Sequence, residues 1–127
     1  MKQLVALMID DMINQLDILE QRFLAIGFVV HKALSGEEGL RLLALHPKID
    51  VVIYDLQMPD LDGLEFVKRA RKFYPLIPIF LMSESPHLGF EITQTDGATH
   101  LLSKTFIDVE RVARAAKNWP YKTKDLV

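Results

Sequence analysis

Five short apolar runs, each followed by a stretch of helical periodicity, leave this chain few ways to fold. The runs cover residues 4–9, 28–33, 51–55, 77–82 and 99–103. Most are continuously apolar, as strands covered on both faces are. The second is weaker and suits a sheet edge. Strands alternating one by one with helices specify an α/β domain with a parallel sheet. Right-handed crossovers then place helices on both faces. At 127 residues the chain has room for one such domain.

The helical stretches have recognisable ends. In the first, Met12, Leu16, Leu19, Phe23 and Ile26 recur at helical spacing, and Gly27 suits a C-terminal cap. The second opens on Ser35-Gly36-Glu37-Glu38, a capping-box pattern, and stops at Pro47. The third opens on Asp62-Gly63-Leu64-Glu65, turns Phe66, Ala70 and Phe73 inward, and stops at Pro75. A fourth is expected from Ser85-Pro86, with proline at the first helical position and a thin apolar face. A fifth is expected over residues 106–117, with Val109, Val112, Ala113 and Ala116 inward. Residues 1–118 read as the domain and residues 119–127 as a tail or the start of a linker.

Composition narrows the function. The formal net charge of -2 does not suit a nucleic-acid-binding domain, which is usually clearly basic. The absence of cysteine excludes disulfides, thiol catalysis and thiolate metal sites. The apolar runs are too short to span a membrane. The N-terminus enters a strand with no signal-peptide pattern, so a cytoplasmic location is expected. His31, His46, His87 and His100 show no zinc-like spacing. The run Lys68-Arg69-Ala70-Arg71-Lys72 reads as a solvated helix face.

The strand ends carry the chemistry. The first run ends in Asp10-Asp11, and the third ends in Asp55, followed by Leu56-Gln57-Met58-Pro59-Asp60-Leu61-Asp62-Gly63. In an open parallel sheet the C-terminal edge of the strands is where ligands bind. Clustered carboxylates repel one another unless a positive group sits between them. A divalent cation beside an acidic site meets that need and points to phosphate chemistry. Asp10-Asp11 alone could equally cap a helix. Asp60 and Asp62 read as turn and cap residues, and Met58 as core filling.

Ser83 follows the fourth strand and Lys104 the fifth. The ordered set Asp10-Asp11, Asp55, Met58-Pro59-Asp60, Asp62-Gly63, Ser83 and Lys104 resembles the receiver domain of two-component response regulators, over nearly the whole chain to about Lys117. The resemblance implies a flavodoxin-like, doubly wound five-stranded parallel sheet of order 2-1-3-4-5, with five helices on two faces. It implies that Asp55 accepts a phosphoryl group from the phosphohistidine of a sensor histidine kinase or phosphotransfer protein. As an exposed aspartate at a loop edge, Asp55 would already be ionised at neutral pH. Mg²⁺ (or Mn²⁺) would be held by Asp11, Asp55 and the Gln57 backbone carbonyl, with Asp10 acting through a metal-bound water. Lys104 would set its ammonium beside the phosphoryl oxygens. The Ser83 hydroxyl would donate to the new phosphoryl group and so rearrange the surface of helix four, strand five and helix five. The output would be a downstream protein or an attached domain, with no direct nucleic-acid binding here. Beyond its own phosphorylation and dephosphorylation the chain would not be an enzyme.

Three residues depart from the family pattern. Glu84 stands where a small residue usually leaves room for the phosphoryl group, so slower phosphorylation or an altered phosphoryl lifetime is expected. Thr105 replaces the proline that usually follows the lysine. A cis bond before a non-proline costs about 2.5–4 kcal/mol, so either a trans bond with a repositioned loop or a site-enforced cis bond is expected. Thr105 is also a candidate cap for the fifth helix, with Asp108 in its first turn. Leu101 occupies the place of an aromatic ring that swings inward on activation. These departures favour a rival reading, a pseudo-receiver that binds a partner without phosphate. A metal-dependent phosphohydrolase would need a general acid two residues after the nucleophile, where Gln57 cannot serve.

Overall fold

The computed structural model describes residues 3–84 and 98–119. Five strands are present: β1 (Val5–Ile9), β2 (Val29–Ala33), β3 (Val51–Asp55), β4 (Ile79–Ser83) and β5 (Thr99–Ser103). Four helices are described: α1 (Ile13–Leu24), α2 (Gly36–Leu45), α3 (Gly63–Phe73) and a C-terminal α4 (Val109–Asn118). The helix expected from Ser85-Pro86 lies outside the described residues. All strand pairs are parallel, in the order β2-β1-β3-β4-β5. The weak second run is therefore an edge strand, as its sequence requires.

Alternation along each central strand feeds two cores. Leu7, Ile9, Val52, Tyr54, Ile79 and Leu81 meet α2 and α3 on one face. Ala6, Met8, Val51, Ile53, Phe80 and Met82 meet α1 and α4 on the other. Close helix approach is possible because Gly39 of α2 has no side chain. A Cβ there would lie 2.8 Å from Ile9 Cγ1 and closer still to its Cδ1. Gly27, with φ +92°, turns the chain from α1 into β2. Phe28 N–H then donates to the Phe23 carbonyl.

Several helix details differ from the sequence expectation. Met12, Ile26 and Phe73 are exposed, at or beyond the helix ends. Helix α4 starts at Val109, and its cap is Asp108, whose carboxylate accepts from Arg111 N–H at 3.1 Å. Thr105 is thus not the cap. Ser103 Oγ instead accepts the Phe106 N–H, which holds the chain in a turn before the helix. Arg71 does not belong to a solvated face. It reaches across to Thr99 Oγ1 at 2.9 Å, and the Tyr74 carbonyl also accepts from it. Trp119, read as tail, lies against the α2–α3 side of the core with its ring edge-on to Tyr74.

Candidate functional site

Parallel pairing brings the strand ends to one edge. Ile9 pairs with Tyr54, Asp55 with Met82, and Ser83 with Ser103. Asp10, Asp55, Ser83 and Lys104 follow from that register as neighbours. Lys104 Nζ donates to Asp55 Oδ2 at 2.8 Å, and Gln57 N–H donates to Asp55 Oδ1 at 3.0 Å. Both carboxylate oxygens are thus engaged, and each retains a spare lone pair. The Lys104 N–H donates to the Ser83 carbonyl at 3.0 Å, so the hydroxyl-bearing and ammonium-bearing strand ends are tied together.

Asp55 is not exposed at a loop edge. It is the last residue of β3 and only 1% accessible. Its burial is tolerable because Lys104, itself largely covered, supplies the counter-charge. One oxygen each from Asp10, Asp11 and Asp55 lie within 4.8 Å of one another. Asp10 is buried and Asp11 exposed, so the cluster opens to solvent on one side. Burial pushes the Asp10 carboxyl above its ordinary pKa, and the charge of Asp55 adds to this against the Met12 N–H bond and Lys104. Burial pulls the Lys104 ammonium down, but its bond to Asp55 and the charges of Asp55, Asp10 and Glu84 outweigh that and raise it. Three hard oxygen donors with one ammonium between them remain net negative. That donor set fits a hard divalent cation.

The walls of the site differ. On the α2–α3 side, Asp60 accepts from Gly36 N–H at 3.0 Å and Glu37 N–H at 3.1 Å, capping α2 from the turn between β3 and α3. Asp62 caps α3 through Glu65 N–H at 2.9 Å. Between them, the Leu61 carbonyl accepts the Tyr54 hydroxyl. Asp60 and Asp62 are thus turn and cap residues, and Met58 is buried in the core. On the α1 side lies a cleft of about 350 Å³ that includes Asp10, Lys104, Glu84, Thr105, Arg22 and Ile18. Glu84 is exposed at this cleft, at the end of the described part of the β4 segment. The Lys104–Thr105 peptide is trans, one of the two expected geometries. Leu101 pairs with Leu81 and is half-buried on the α2–α3 side. Its carbonyl accepts from Arg111 at 2.7 Å.

Some groups come together without a sequence signal. His31 of β2 and His46 after α2 stack with ring centroids 4.3 Å apart. The capping of α2 by Asp60 spans 24 residues and was equally hidden. A short polar side chain in the turn after β3 was the available hint.

Fold and site define a flavodoxin-like α/β domain whose ligand edge gathers three carboxylates, one of them paired with a lysine. The chain belongs to the response regulator receiver domain family, whose profile matches residues 6–117. It is 34% identical over 109 residues to a probable transcriptional regulator, ycf27, of Cyanidium caldarium, covering 85% of this chain and 43% of that protein. It is 32% identical over 109 residues to the transcriptional regulatory protein PrrA of Mycobacterium leprae, covering 85% and 46%. The chain thus spans less than half the length of either relative. Among solved structures it is similar to a response regulator receiver domain protein from Clostridium thermocellum, with 28% identity, TM-score 0.78 and coverage of 98% and 99%. It is likewise similar to the chemotaxis protein CheY4 of Vibrio cholerae, with 27% identity, TM-score 0.77 and coverage of 91% and 98%.

Proposed function

We propose that this domain is a phosphorylation switch in which Asp55 accepts a phosphoryl group from the phosphohistidine of a kinase or phosphotransfer protein. The observation that carries the reading is the Lys104–Asp55 contact of 2.8 Å beside the cluster of Asp10, Asp11 and Asp55. An Asp55 oxygen bonds to phosphorus as the P–N bond breaks and its electron pair returns to the imidazole. Lys104 then exchanges one carboxylate partner for the phosphoryl oxygens, where its charge is needed. Asp11, Asp55 and the Gln57 carbonyl would hold Mg²⁺, with Asp10 acting through a metal-bound water; the ion when bound would offset the repulsion between the acceptor and the incoming anion. The Ser83 hydroxyl donates to the new phosphoryl group. Because Ser83 and Lys104 are bonded through their backbones, the response spreads along β4 and β5. The domain acts on itself rather than on a separate substrate, and its output is a partner protein or an attached domain. The described chain has no helix long and apolar enough to cross a membrane. A cytoplasmic setting belongs to this reading.

Glu84 is the resident anion at the cleft mouth, where it slows entry of dianionic donors. Treatment with a small phosphodonor and Mg²⁺, followed by intact mass, tests the main reading. A mass gain that needs Asp55, absent in Asp55→Asn, is the expected result. No gain with any donor, including a kinase, would instead establish the pseudo-receiver that Glu84, Leu101 and Thr105 favour. Equal labelling rates in the wild type and Glu84→Ala would remove the role given to Glu84.

A further inference from the structure

The α2–α3 face carries a feature that the acceptor site does not use. Between the two helices runs a groove of about 300 Å³. Leu40 and Ala44 of α2 and Phe73 of α3 line it with apolar surface. Leu40 is buried, but Phe73 is left 50% exposed. Its position at the end of α3 leaves a half-solvated aromatic ring on the groove wall. The remaining lining is mostly cationic, Arg41, Arg69 and Lys72 against the single carboxylate of Glu37.

The charges are not balanced locally. Glu37 is consumed, because Arg69 donates to both of its oxygens at 2.6 and 3.0 Å. Among the described residues Arg41 pairs with Glu38, at 3.6 Å, and the other Glu38 oxygen accepts from Leu34 N–H. Lys72 has no hydrogen bond or ion pair among the described residues. The groove therefore holds surplus positive charge on a chain whose formal net charge is -2.

We propose that this groove docks an acidic protein segment that inserts one bulky apolar side chain against Phe73. Grooves between neighbouring helices take amphipathic segments through spaced apolar anchors. Carboxylates flanking the anchor meet Arg41 and Lys72, which set register and association rate. An always-charged, fork-shaped guanidinium suits a carboxylate partner. A nucleic acid would use the cations but leave Ala44 and Phe73 uncovered and place phosphate against Glu37. The groove shares no lining residue with the cleft lined by Asp10 and Lys104, so docking here needs none of the carboxylates around Asp55.

The test is amide chemical-shift mapping of the whole chain with a blocked, Glu-rich helical peptide bearing one Phe anchor. Shifts concentrated at Leu40, Ala44, Lys72 and Phe73, and weakening with added salt, are expected. Affinity should fall by about tenfold or more when the peptide anchor is changed to alanine, or in Phe73→Ser or Lys72→Glu. Lys72→Glu is an exposed change that keeps the fold, so the test stands even if Phe73→Ser unfolds. Shifts mapping elsewhere, no shift at millimolar peptide, or equal binding of the alanine-anchor peptide would overturn the proposal. So would the same shifts from single-stranded DNA at equal affinity, or self-association of the free chain through this face.

Discussion

Replacing Lys104 with methionine isolates the counter-charge on which the burial of Asp55 depends. The side chains of Lys104 and Asp55 are 12% and 2% accessible, and their contact is 2.8 Å. Coulomb attraction at that distance is about 6 kcal/mol for an effective dielectric near 20. Desolvation cancels much of this, but breaking one side of a buried pair leaves the other charge uncompensated and costs about 3–5 kcal/mol. Asp55 would keep the Gln57 N–H bond and would face Asp10 and Asp11 without a cation beside it among the described residues. We expect Lys104→Met to lose about 3 kcal/mol in urea unfolding at pH 7 with chelator present. A domain of this size has only about 5–15 kcal/mol in total. Asp55→Asn combined with Lys104→Met should recover most of the loss, because the uncompensated charge is gone. The pH dependence has a definite sign. The folded pKa of Lys104 is raised, so its contribution is fully present below the unfolded value of about 10.4 and is lost as pH rises through the folded value. The gap between wild type and Lys104→Met should therefore be flat from about pH 6 to 9. A Lys104→Met protein within about 0.5 kcal/mol of wild type, or a negligible coupling energy in the double-mutant cycle, would refute the reasoning.

Three further outcomes follow from the same geometry. Asp10→Asn should raise the urea midpoint without divalent metal, because burial and Asp55 raise the Asp10 pKa and make its charge unfavourable. The folded state binds that proton more readily, so the gain should shrink as pH falls from the folded pKa towards the unfolded value, and excess Mg²⁺ should reverse it. Gly39→Ala should cost about 1–3 kcal/mol, since its Cβ would press on Ile9 in a filled core; Ile9→Val in the same protein should recover part of it in thermal unfolding. Burial and then His46 lower the His31 pKa. Stability should therefore fall as pH drops from about 6.5 through the depressed value, and His31→Gln should flatten that limb of a pH–stability curve.

The sheet was legible because burial on both faces is written locally. Each predicted run starts within two residues of its strand, and β2 sits at the edge its weaker pattern implied. Ser35 and Asp62 were legible as caps because a cap and its N–H partner are three residues apart. Long-range partners were not legible. Asp60 caps a helix that precedes it in the chain, Arg71 reaches β5, and His31 meets His46 only once β2 and α2 have packed. Met12, Ile26 and Phe73 fit the helical period yet stand at or beyond helix ends, where phase no longer decides what lies beneath. The environment of Asp55 was half legible. The place of Asp55 at the ligand edge followed from its position in an ordered set, but its burial depends on Lys104, 49 residues away.

The turn after Asp55 has no slack. Asp60 is fastened to α2, Leu61 to the hydroxyl of Tyr54, and Asp62 to α3, three consecutive residues anchored to three different elements. A pocket clamped on one side behaves like a vice with a single moving jaw. Whatever volume and charge Asp55 gains must be taken up opposite, where Ser83 and Lys104 hold each other by one backbone bond. If Asp55 takes the proposed phosphoryl group, the direction in which the domain can yield is set beforehand, by three residues outside the carboxylate cluster.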